Sequence, residues 1–346
     1  MRPTCVFDGY VLRCGPLTGV ARSFLWALEA FAARGDARAI LALPAGPAMP
    51  EIAQLAGSGV EVLETDAGAG PWRRQTELPA FLRSVGANVL HVPVAAIPFW
   101  APCPVIATIH DLPWRAEPDA AGAMRGEPGR GRATRIVTRL AVRRAQAILV
   151  PSEATRSDIL REVPRPRAPI QVVPLGVPLP ASSGTGRIDG CFLYLGDARP
   201  RKNLPRLRRA HAAARAACPE LPDLVHVGPG GTRYLPESEK ADAIRSACAV
   251  VLPSLHEGFG LPVLEAFGHG TPVLCSHRKS LRELAGDAAL IVDPNDERAM
   301  ADGLLQLHQD AGLRATLSAR GRARAVERTP QHTAAAWARV HREVLG

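Results

Sequence analysis

The chain has no Cys-x-x-Cys pair, few aromatic residues and only three lysines. Its seven cysteines are scattered, which argues against a disulfide framework or a zinc site and favours a reducing compartment. Aromatic residues make up 5% of the 346 residues and no nucleic-acid-binding motif occurs, so we expect no nucleic-acid partner. The formal charge is +9, and its basic residues are nearly all arginine, because lysine occurs only at Lys202, Lys240 and Lys279.

Several signatures of common enzyme and membrane proteins are also absent. Neither Gly-x-Gly-x-x-Gly nor Gly-x-x-x-x-Gly-Lys-Ser/Thr occurs, which counts against a dehydrogenase and a P-loop enzyme. Gly-x-Ser-x-Gly is missing too, which disfavours a serine hydrolase of that kind. The uncharged run 92–109 contains four prolines, so it predicts two strands and a loop rather than a transmembrane helix. Asp8 precedes any apolar region, which argues against a signal peptide and for the cytoplasm.

Short apolar runs alternate with helical stretches along the whole chain. This alternation is typical of parallel sheets covered by helices. The predicted strands of the first half are 4–7, 39–43, 60–63, 89–92, 105–109, 147–150 and 170–173, with helices at 19–33 and 132–144. A second series of strands is predicted at 191–195, 224–227, 250–252, 273–274 and 290–292.

The two series predict an α/β protein with two doubly wound domains. We place the first domain at 1–178, a polar linker at 179–188 and the second domain at 189–328. Ligands in such architectures bind outside the carboxyl ends of the strands, so we expect a cleft there between the domains.

The most informative segment runs from Ser254 to Glu265. It follows a buried strand, contains Gly258 and Gly260, and leads into a helix. Backbone amides at such a helix terminus can bind an anion, while Glu257 and Glu265 can accept hydrogen bonds from hydroxyl groups. A ligand with phosphate at its centre and hydroxyls on both sides is a nucleotide sugar. The alternative is a strand–glycine–helix loop that binds nothing, as many α/β proteins contain.

A second segment places cations after the strand 191–195. Arg199, Arg201 and Lys202 lie in the loop that leads to the next helix. Cations placed there in advance would stabilise a departing diphosphate as the glycosidic bond breaks. Lys202 is notable because arginine is the usual cation of this chain. A solvated basic helix cap is the alternative explanation.

Three features of the first half are less specific. Gly19 precedes an apolar-periodic helix, where its backbone could approach a sugar or phosphate. His110 follows the strand 105–109 and could bind a sugar hydroxyl, or be structural. Four arginines recur at helical spacing and could rest on anionic lipid or form an ordinary solvated face: Arg132, Arg135, Arg139 and Arg143.

These motifs together resemble the retaining glycosyltransferases of family 4. The two glutamates separated by seven residues, the Pro-Arg-Lys-Asn loop at 200–203 and the Thr-Ile-His-Asp-Leu string at 108–112 carry the resemblance. It implies the GT-B fold, with two Rossmann-like domains and a final helix, 331–345, that packs back on the first domain.

The resemblance also implies a role for each site residue. Lys202 and Arg201 would contact the diphosphate, Glu257 the transferred sugar and Glu265 the ribose. Amides of Gly258, Phe259, Gly260 and Leu261 would complete the anion site, and Gly19 and His110 would contact the donor. Many members carry an arginine where this chain has Asp197, and Arg199 and Arg201 are the candidates to replace it.

The implied reaction is a metal-independent, retaining transfer of a hexose. Asp-x-Asp, the usual metal-chelating pair of the other major glycosyltransferase fold, is absent, and we expect neither metal nor cofactor. GDP-mannose is the first expected donor, and a glycan or lipid-linked molecule the acceptor, at the cytoplasm or the membrane's inner face. The rivals are a sugar-nucleotide epimerase or hydrolase of the same fold, and a non-catalytic protein that binds nucleotide sugars.

Overall fold

The structure of the chain is a computed structural model. It describes residues 2–13, 18–46, 49–53, 55, 57–66, 73–112, 114, 130–180, 190–231, 235 and 237–346. Residues 181–186, the core of the predicted linker, lie outside this range. The described residues form two compact units, the first drawn from residues 2–112, 130–176 and 330–346 and the second from Trp114 and residues 177–329.

The first unit is built on a seven-stranded sheet in which every pair of neighbours is parallel. Its strands are short and rich in aliphatic residues, as buried parallel strands are. They occur in the order β3-β2-β1-β4-β5-β6-β7. Their bounds are Thr4–Asp8 (β1), Arg38–Pro44 (β2), Val60–Thr65 (β3), Val89–Val92 (β4), Val105–Thr108 (β5), Ala147–Val150 (β6) and Ile170–Val172 (β7).

Helices alternate with these strands, as the sequence pattern predicts. The first begins after Thr18, whose hydroxyl caps it by accepting from the amide of Ala21. The helices in this part of the chain are Gly19–Ala33 (α1), Pro50–Ala53 (α2), Arg73–Ser84 (α3), Arg130–Arg144 (α4) and Glu153–Glu162 (α5).

The second unit contains a five-stranded parallel sheet with the order β12-β11-β10-β8-β9. Its strands are Phe192–Leu195 (β8), Leu224–Val227 (β9), Ala249–Leu252 (β10), Val273–Ser276 (β11) and Leu290–Val292 (β12). Its helices are Leu204–Ala217 (α6), Glu237–Ser246 (α7), Leu261–His269 (α8), Lys279–Ala285 (α9), Glu297–Gln309 (α10) and Ala311–Val326 (α11).

The last helix, Pro330–Leu345 (α12), belongs to the first unit although it follows the second in the chain. Trp337 and His341 pack on Phe7 of β1 with nearly parallel rings. The Nε2 atom of His341 lies 3.2 Å from Nδ1 of His91, whose Nε2 atom lies 2.9 Å from Oγ1 of Thr108. The helix is therefore anchored in the core of the first unit by apolar packing and by a buried polar chain.

Each sheet has one position where consecutive strands are added to opposite sides. In the first sheet it lies between β1 and β4, and in the second between β8 and β10. At such a switch point the following loops diverge, which leaves a crevice at the carboxyl ends of the strands. The loops after β8 and β10 carry Lys202 and Glu257.

Candidate functional site

Lys202 is fixed in place by the residue that follows it. Residues Pro200–Lys202 form a single 3-10 turn, and Asn203 then adopts the left-handed conformation with φ of 62°. Asparagine tolerates this conformation better than most side chains do. Its amide donates to the carbonyls of Pro253 at 3.1 Å and Pro294 at 2.7 Å, which ties the turn to the residues after β10 and β12.

The loop after β10 brings Glu257 against that turn. Nζ of Lys202 donates to Oε1 of Glu257 at 2.5 Å, and Oγ of Ser254 donates to the same oxygen at 2.8 Å. Nη1 of Arg201 lies 3.6 Å from Oε2. The side chains of Arg201, Lys202 and Glu257 are 10–12% exposed, so the cluster is largely shielded from water.

The charges in this cluster favour an anion. Burial acts to raise the pKa of Glu257, but Lys202, Arg201 and the hydrogen bond from Ser254 outweigh it and lower that pKa below its ordinary value. Glu257 is therefore ionised at neutral pH. Among the described residues, one carboxylate, Glu257, thus lies against two cations, Arg201 and Lys202, in a region of low dielectric.

The Glu257 loop is held from several sides. Oγ of Ser276 donates to the carbonyl of Ser254 at 2.6 Å, and Oγ of Ser280 donates to the carbonyl of Glu257 at 2.6 Å. The amide of Leu255 donates to the carbonyl of Arg201 at 2.8 Å. The loop is thus positioned before any ligand binds, which is what electrostatic stabilisation of a transition state requires.

Helix α8 begins directly after this loop at Leu261. Gly260 has φ of 108°, and a Cβ atom there would lie 2.5 Å from Cδ2 of Leu281, so the backbone requires glycine. The amides of Val263 and Leu264 donate to the carbonyl of Gly260. Gly258 and Phe259 lie immediately before this helix start.

Glu265 lies one turn into α8 and is 7% exposed. Its Oε1 atom accepts from Nζ of Lys240 at 2.9 Å. Lys240 lies on α7, and its side chain is 12% exposed. No sequence motif includes Lys240, although lysine is as rare at this position as at Lys202 in a chain with three lysines.

Two protein-family models match the chain. One, described as Glycosyltransferase Family 4, matches residues 17–181, and the other, described as Glycosyl transferases group 1, matches residues 231–324. The chain belongs to glycosyltransferase family 4. The family resemblance in the sequence is thereby confirmed.

Two named relatives are similar to part of the chain. The chain is 38% identical to O-antigen chain mannosyltransferase B of Escherichia coli over 39% of its own length and 41% of the relative's. It is 29% identical to the MMP alpha-(1->4)-mannosyltransferase of Mycolicibacterium hassiacum over 54% of this chain and 51% of that protein. The matches thus span about half or less of these two relatives.

The fold is similar over nearly the whole chain to that of sucrose-phosphate synthase from Thermosynechococcus elongatus. The TM-score is 0.77 at 16% identity, with 99% of each chain covered. The predicted GT-B fold of this family-4 chain is confirmed.

The contacts of Arg199 and Arg201 differ, and the difference bears on which of them could replace the arginine that the family carries at the position of Asp197. Nε and Nη2 of Arg199 donate to Oδ2 of Asp197 at 2.8 and 2.5 Å, and the Arg199 side chain is 51% exposed. Burial acts to raise the pKa of Asp197, but the bonds from Arg199 lower it to about 2. Arg201, by contrast, lies against Glu257, and its Nη1 donates to the carbonyl of His256 at 3.2 Å. Arg201 is the arginine that the second unit brings to Lys202.

The first-unit candidates lie apart in the chain from this cluster. Gly19 is the first residue of α1 and is partly exposed. Residues 14–17, which complete its predicted loop, lie outside the described residues. Nε2 of His110 lies 3.1 Å from the carbonyl of Pro93, so the neutral ring keeps Nδ1 as its acceptor. Burial lowers the pKa of His110 despite the opposing effects of Asp111 and of the Pro93 bond.

The arginine stripe of α4 is partly neutralised. Nε of Arg135 and Nε of Arg139 both donate to Oε1 of Glu162, at 2.6 and 2.5 Å. Glu162 lies 27 and 23 residues from these arginines in the sequence and on another helix, α5, so sequence spacing did not reveal the pairing. Arg132 and Arg143 are exposed.

Neither a metal-binding cluster nor a membrane-spanning helix is found among the described residues. No group of three or more His, Cys, Asp or Glu side chains in the described ranges is arranged to bind a metal ion. None of the helices in that part of the chain combines the length and apolar character that a membrane crossing requires.

Proposed function

We propose that this chain transfers a hexose from a nucleoside diphosphate sugar to a glycan or lipid-linked acceptor, with retention of configuration and without a metal ion. The observation that supports it most directly is the buried cluster of Lys202, Arg201 and Glu257 at the switch point of the second sheet. Its two cations, placed at a helix start, suit the diphosphate of a sugar nucleotide.

Lys202 and Arg201 act on the leaving group in this proposal. Charge develops on the diphosphate as the glycosidic bond breaks, and the two cations lie in position to receive it without reorganisation. Glu257 holds Lys202 at 2.5 Å, and one hydrogen bond still leaves the ammonium group two donors for phosphate oxygens. Amides of residues 258–261 complete the anion site at the start of α8.

The carboxylates act on hydroxyl groups. Glu265 accepts hydrogen bonds from the ribose, and Glu257 from the transferred sugar. His110 and Gly19 are assigned to the donor sugar by the family resemblance alone. We expect the positive charge that other enzymes obtain from a divalent cation to come here from Lys202 and Arg201, so that activity survives EDTA.

GDP-mannose is the proposed donor. The names of the two curated relatives are those of mannosyltransferases, and both are compared over only about half their length or less. The name of the Escherichia coli relative also refers to O-antigen chains, which supports a role in cell-surface polysaccharide synthesis.

A thermal-shift panel of GDP-, UDP-, dTDP- and ADP-sugars tests the class and the base together. We expect GDP-mannose to raise the melting temperature, Lys202→Ala to reduce that shift, and the exposed-lysine variant Lys279→Ala to keep it. If no sugar nucleotide shifts the melting temperature, the proposal is wrong. Release of free mannose without any acceptor, at the rate seen with one, would instead indicate a hydrolase.

We also propose weak contact of the first unit with an anionic membrane on its cytoplasmic face. Trp100 is 71% exposed, and the guanidinium of Arg144 lies 5.2 Å from the ring centre of its neighbour Phe99. An exposed aromatic residue near an exposed arginine suits the interface of an anionic bilayer. Flotation with phosphatidylglycerol vesicles should recover the parent chain but less of Trp100→Ser. Equal recovery with neutral phosphatidylcholine vesicles would contradict the electrostatic part.

A further inference from the structure

Lys240 forms a buried charge pair in the second unit and lies outside the family motifs. It lies on α7, which packs against α8. Its Nζ atom donates to Oε1 of Glu265 at 2.9 Å, and the two side chains are 12% and 7% exposed. The pair is therefore formed across two helices and is largely shielded from water.

The use of lysine at this position is distinctive. Only three of the chain's 42 basic residues are lysines. Two of the three, Lys202 and Lys240, form buried pairs with the two glutamates of the motif, Glu257 and Glu265. The third, Lys279, is exposed at the start of α9.

Stability alone explains the Lys240–Glu265 pair poorly. Removing two charges from water costs about as much as their attraction returns, so a buried ion pair is weak evidence for a stabilising role. A role in ligand binding accounts for it better. An unpaired carboxylate on α8 would repel a diphosphate bound near the start of that helix, and Lys240 cancels this charge.

The pair also restricts the orientation of the carboxylate. A bond from Lys240 to Oε1 fixes the plane of the Glu265 carboxyl group, and each carboxylate oxygen can accept more than one hydrogen bond. Two adjacent hydroxyls of a ribose need two acceptors at a fixed separation, which an oriented carboxylate supplies. A freely rotating one would lose entropy on binding.

We infer that Lys240 is a positioning residue for nucleotide recognition: it orients and neutralises Glu265 so that this carboxylate binds the two ribose hydroxyls. The inference rests on the proposed function, in which Glu265 is the ribose contact. It adds a residue outside the glutamate motif and outside the Pro-Arg-Lys-Asn loop to the donor site.

Calorimetry with three probes separates this role from others. GDP carries ribose hydroxyls and a diphosphate, 2′,3′-dideoxy-GDP lacks the hydroxyls, and inorganic pyrophosphate lacks the nucleoside. We expect the parent to bind GDP about tenfold more tightly than the dideoxy compound, the scale of one charged hydrogen bond. Lys240→Met should reduce this ratio to about twofold and leave pyrophosphate affinity unchanged.

Matched variants complete the experiment. Lys279→Met should keep the parent's ratio, and Lys240→Arg, which keeps the charge, should restore most of it. Glu265→Gln should lower the ratio, and the double variant Lys240→Met/Glu265→Gln should lower it no further, because the two residues act as one unit. Circular dichroism checks folding, and Lys240→Gln replaces the methionine variant if that one does not fold.

Each contrary result has a distinct meaning. If the parent discriminates between the two nucleotides and Lys240→Met does so equally, the inference about Lys240 is wrong while the proposed function stands. Loss of pyrophosphate affinity in Lys240→Met would make Lys240 a phosphate ligand and also overturn the inference. If the parent does not discriminate, in this probe pair or in the corresponding UDP pair, the role of Glu265 in the proposed function fails.

Discussion

The two sheets have switch points of the same kind but with different chemistry at their carboxyl ends. At the carboxyl end of β1 in the first sheet, Asp8 is paired with Arg74, and their side chains are 3% and 6% exposed. Nη2 of Arg74 also donates to the carbonyl of Ala96 at 2.8 Å. In the second sheet, one carboxylate, Glu257, faces two cations, Arg201 and Lys202.

The comparison distinguishes a buried ion pair that stabilises the fold from a charged cluster that can bind a ligand. Asp8 and Arg74 neutralise each other one to one, and Arg74 uses further donors on the backbone. In the second cluster both cations share the carboxylate of Glu257, and the cluster lies directly before a helix N-terminus. A doubly wound topology therefore offers a site at each switch point, and the side chains after the strands decide which one is suited to an anion.

The largest effect is expected when the buried Asp8–Arg74 ion pair of the first sheet is broken. Arg74→Ala would leave Asp8 buried and uncompensated, which costs about 3–5 kcal/mol in the free energy of unfolding. Urea unfolding monitored by hydrogen exchange of the β1 amides measures this loss in the free energy of unfolding. Asp8→Asn/Arg74→Met should recover much of the loss, because it removes both charges. If Arg74→Ala leaves the free energy of unfolding unchanged, the Asp8–Arg74 pair does not stabilise the first unit.

Lys202→Ala is the matching test of the second sheet, and its effect should appear in catalysis. We expect kcat/KM to fall about 10²–10³-fold, the scale for one donor that acts on the transition state. Lys279→Ala, which removes an exposed lysine, should leave kcat/KM unchanged. A Lys202→Ala enzyme within threefold of the parent would remove Lys202 from the mechanism.

The two units should differ in how strongly acid destabilises them. Burial lowers the pKa of His341 to about 3 and that of His91 well below 6.5, so both rings are neutral in the folded first unit. The unfolded chain binds these protons below pH 6.5. Stability is therefore complete above that pH and falls as the pH drops below it, for His341 until the pH reaches about 3.

The second unit should lose less stability above pH 4.5. His269 at the end of α8 also has a pKa lowered by burial, but its side chain is only half-buried. The pKa of Glu257 lies below its ordinary 4.5, so its contribution is present above pH 4.5 and is lost as the pH falls through the lower, folded value. Hydrogen exchange of α12 and α8 between pH 7 and 4 compares the two units. We expect α12 to lose protection first and His341→Phe to delay this. Loss of protection in α8 before α12 would contradict the assignment.

The smallest expected difference lies between two neighbouring arginines of one loop. Arg201→Ala should weaken binding of the sugar nucleotide about tenfold, the scale of one charged hydrogen bond to phosphate. Arg199→Ala should change it by less than about twofold, since this exposed side chain is already paired with Asp197. Calorimetry with GDP-mannose measures both. The reverse order would identify Arg199 as the replacement for the family's missing arginine.

Local patterns predicted much of this molecule. The helix predicted at 19–33 is observed as Gly19–Ala33, and a strand is observed at each predicted place. Caps, periodicity and short apolar runs are properties of neighbouring residues, so they are visible in the sequence. The roles assigned to Lys202, Glu257, Glu265, His110 and the remaining site residues stay predictions.

Pairings between distant residues were not accessible in this way. Glu162 neutralises two arginines of the α4 stripe from a different helix, and Lys240 reaches Glu265 across 25 positions. Asn203 and Pro294 are 91 positions apart. No local signal encodes which of the many charged or polar residues in the chain will become neighbours.

The sequence by itself therefore determined the order of strands and helices, the family, and the two loops that carry the cations and carboxylates. Only the tertiary structure decided which charges cancel and which remain in excess. The physical reason is that propensity and patterning act over a few residues, whereas a carboxylate and its cation meet only when packing brings separate elements within hydrogen-bonding distance.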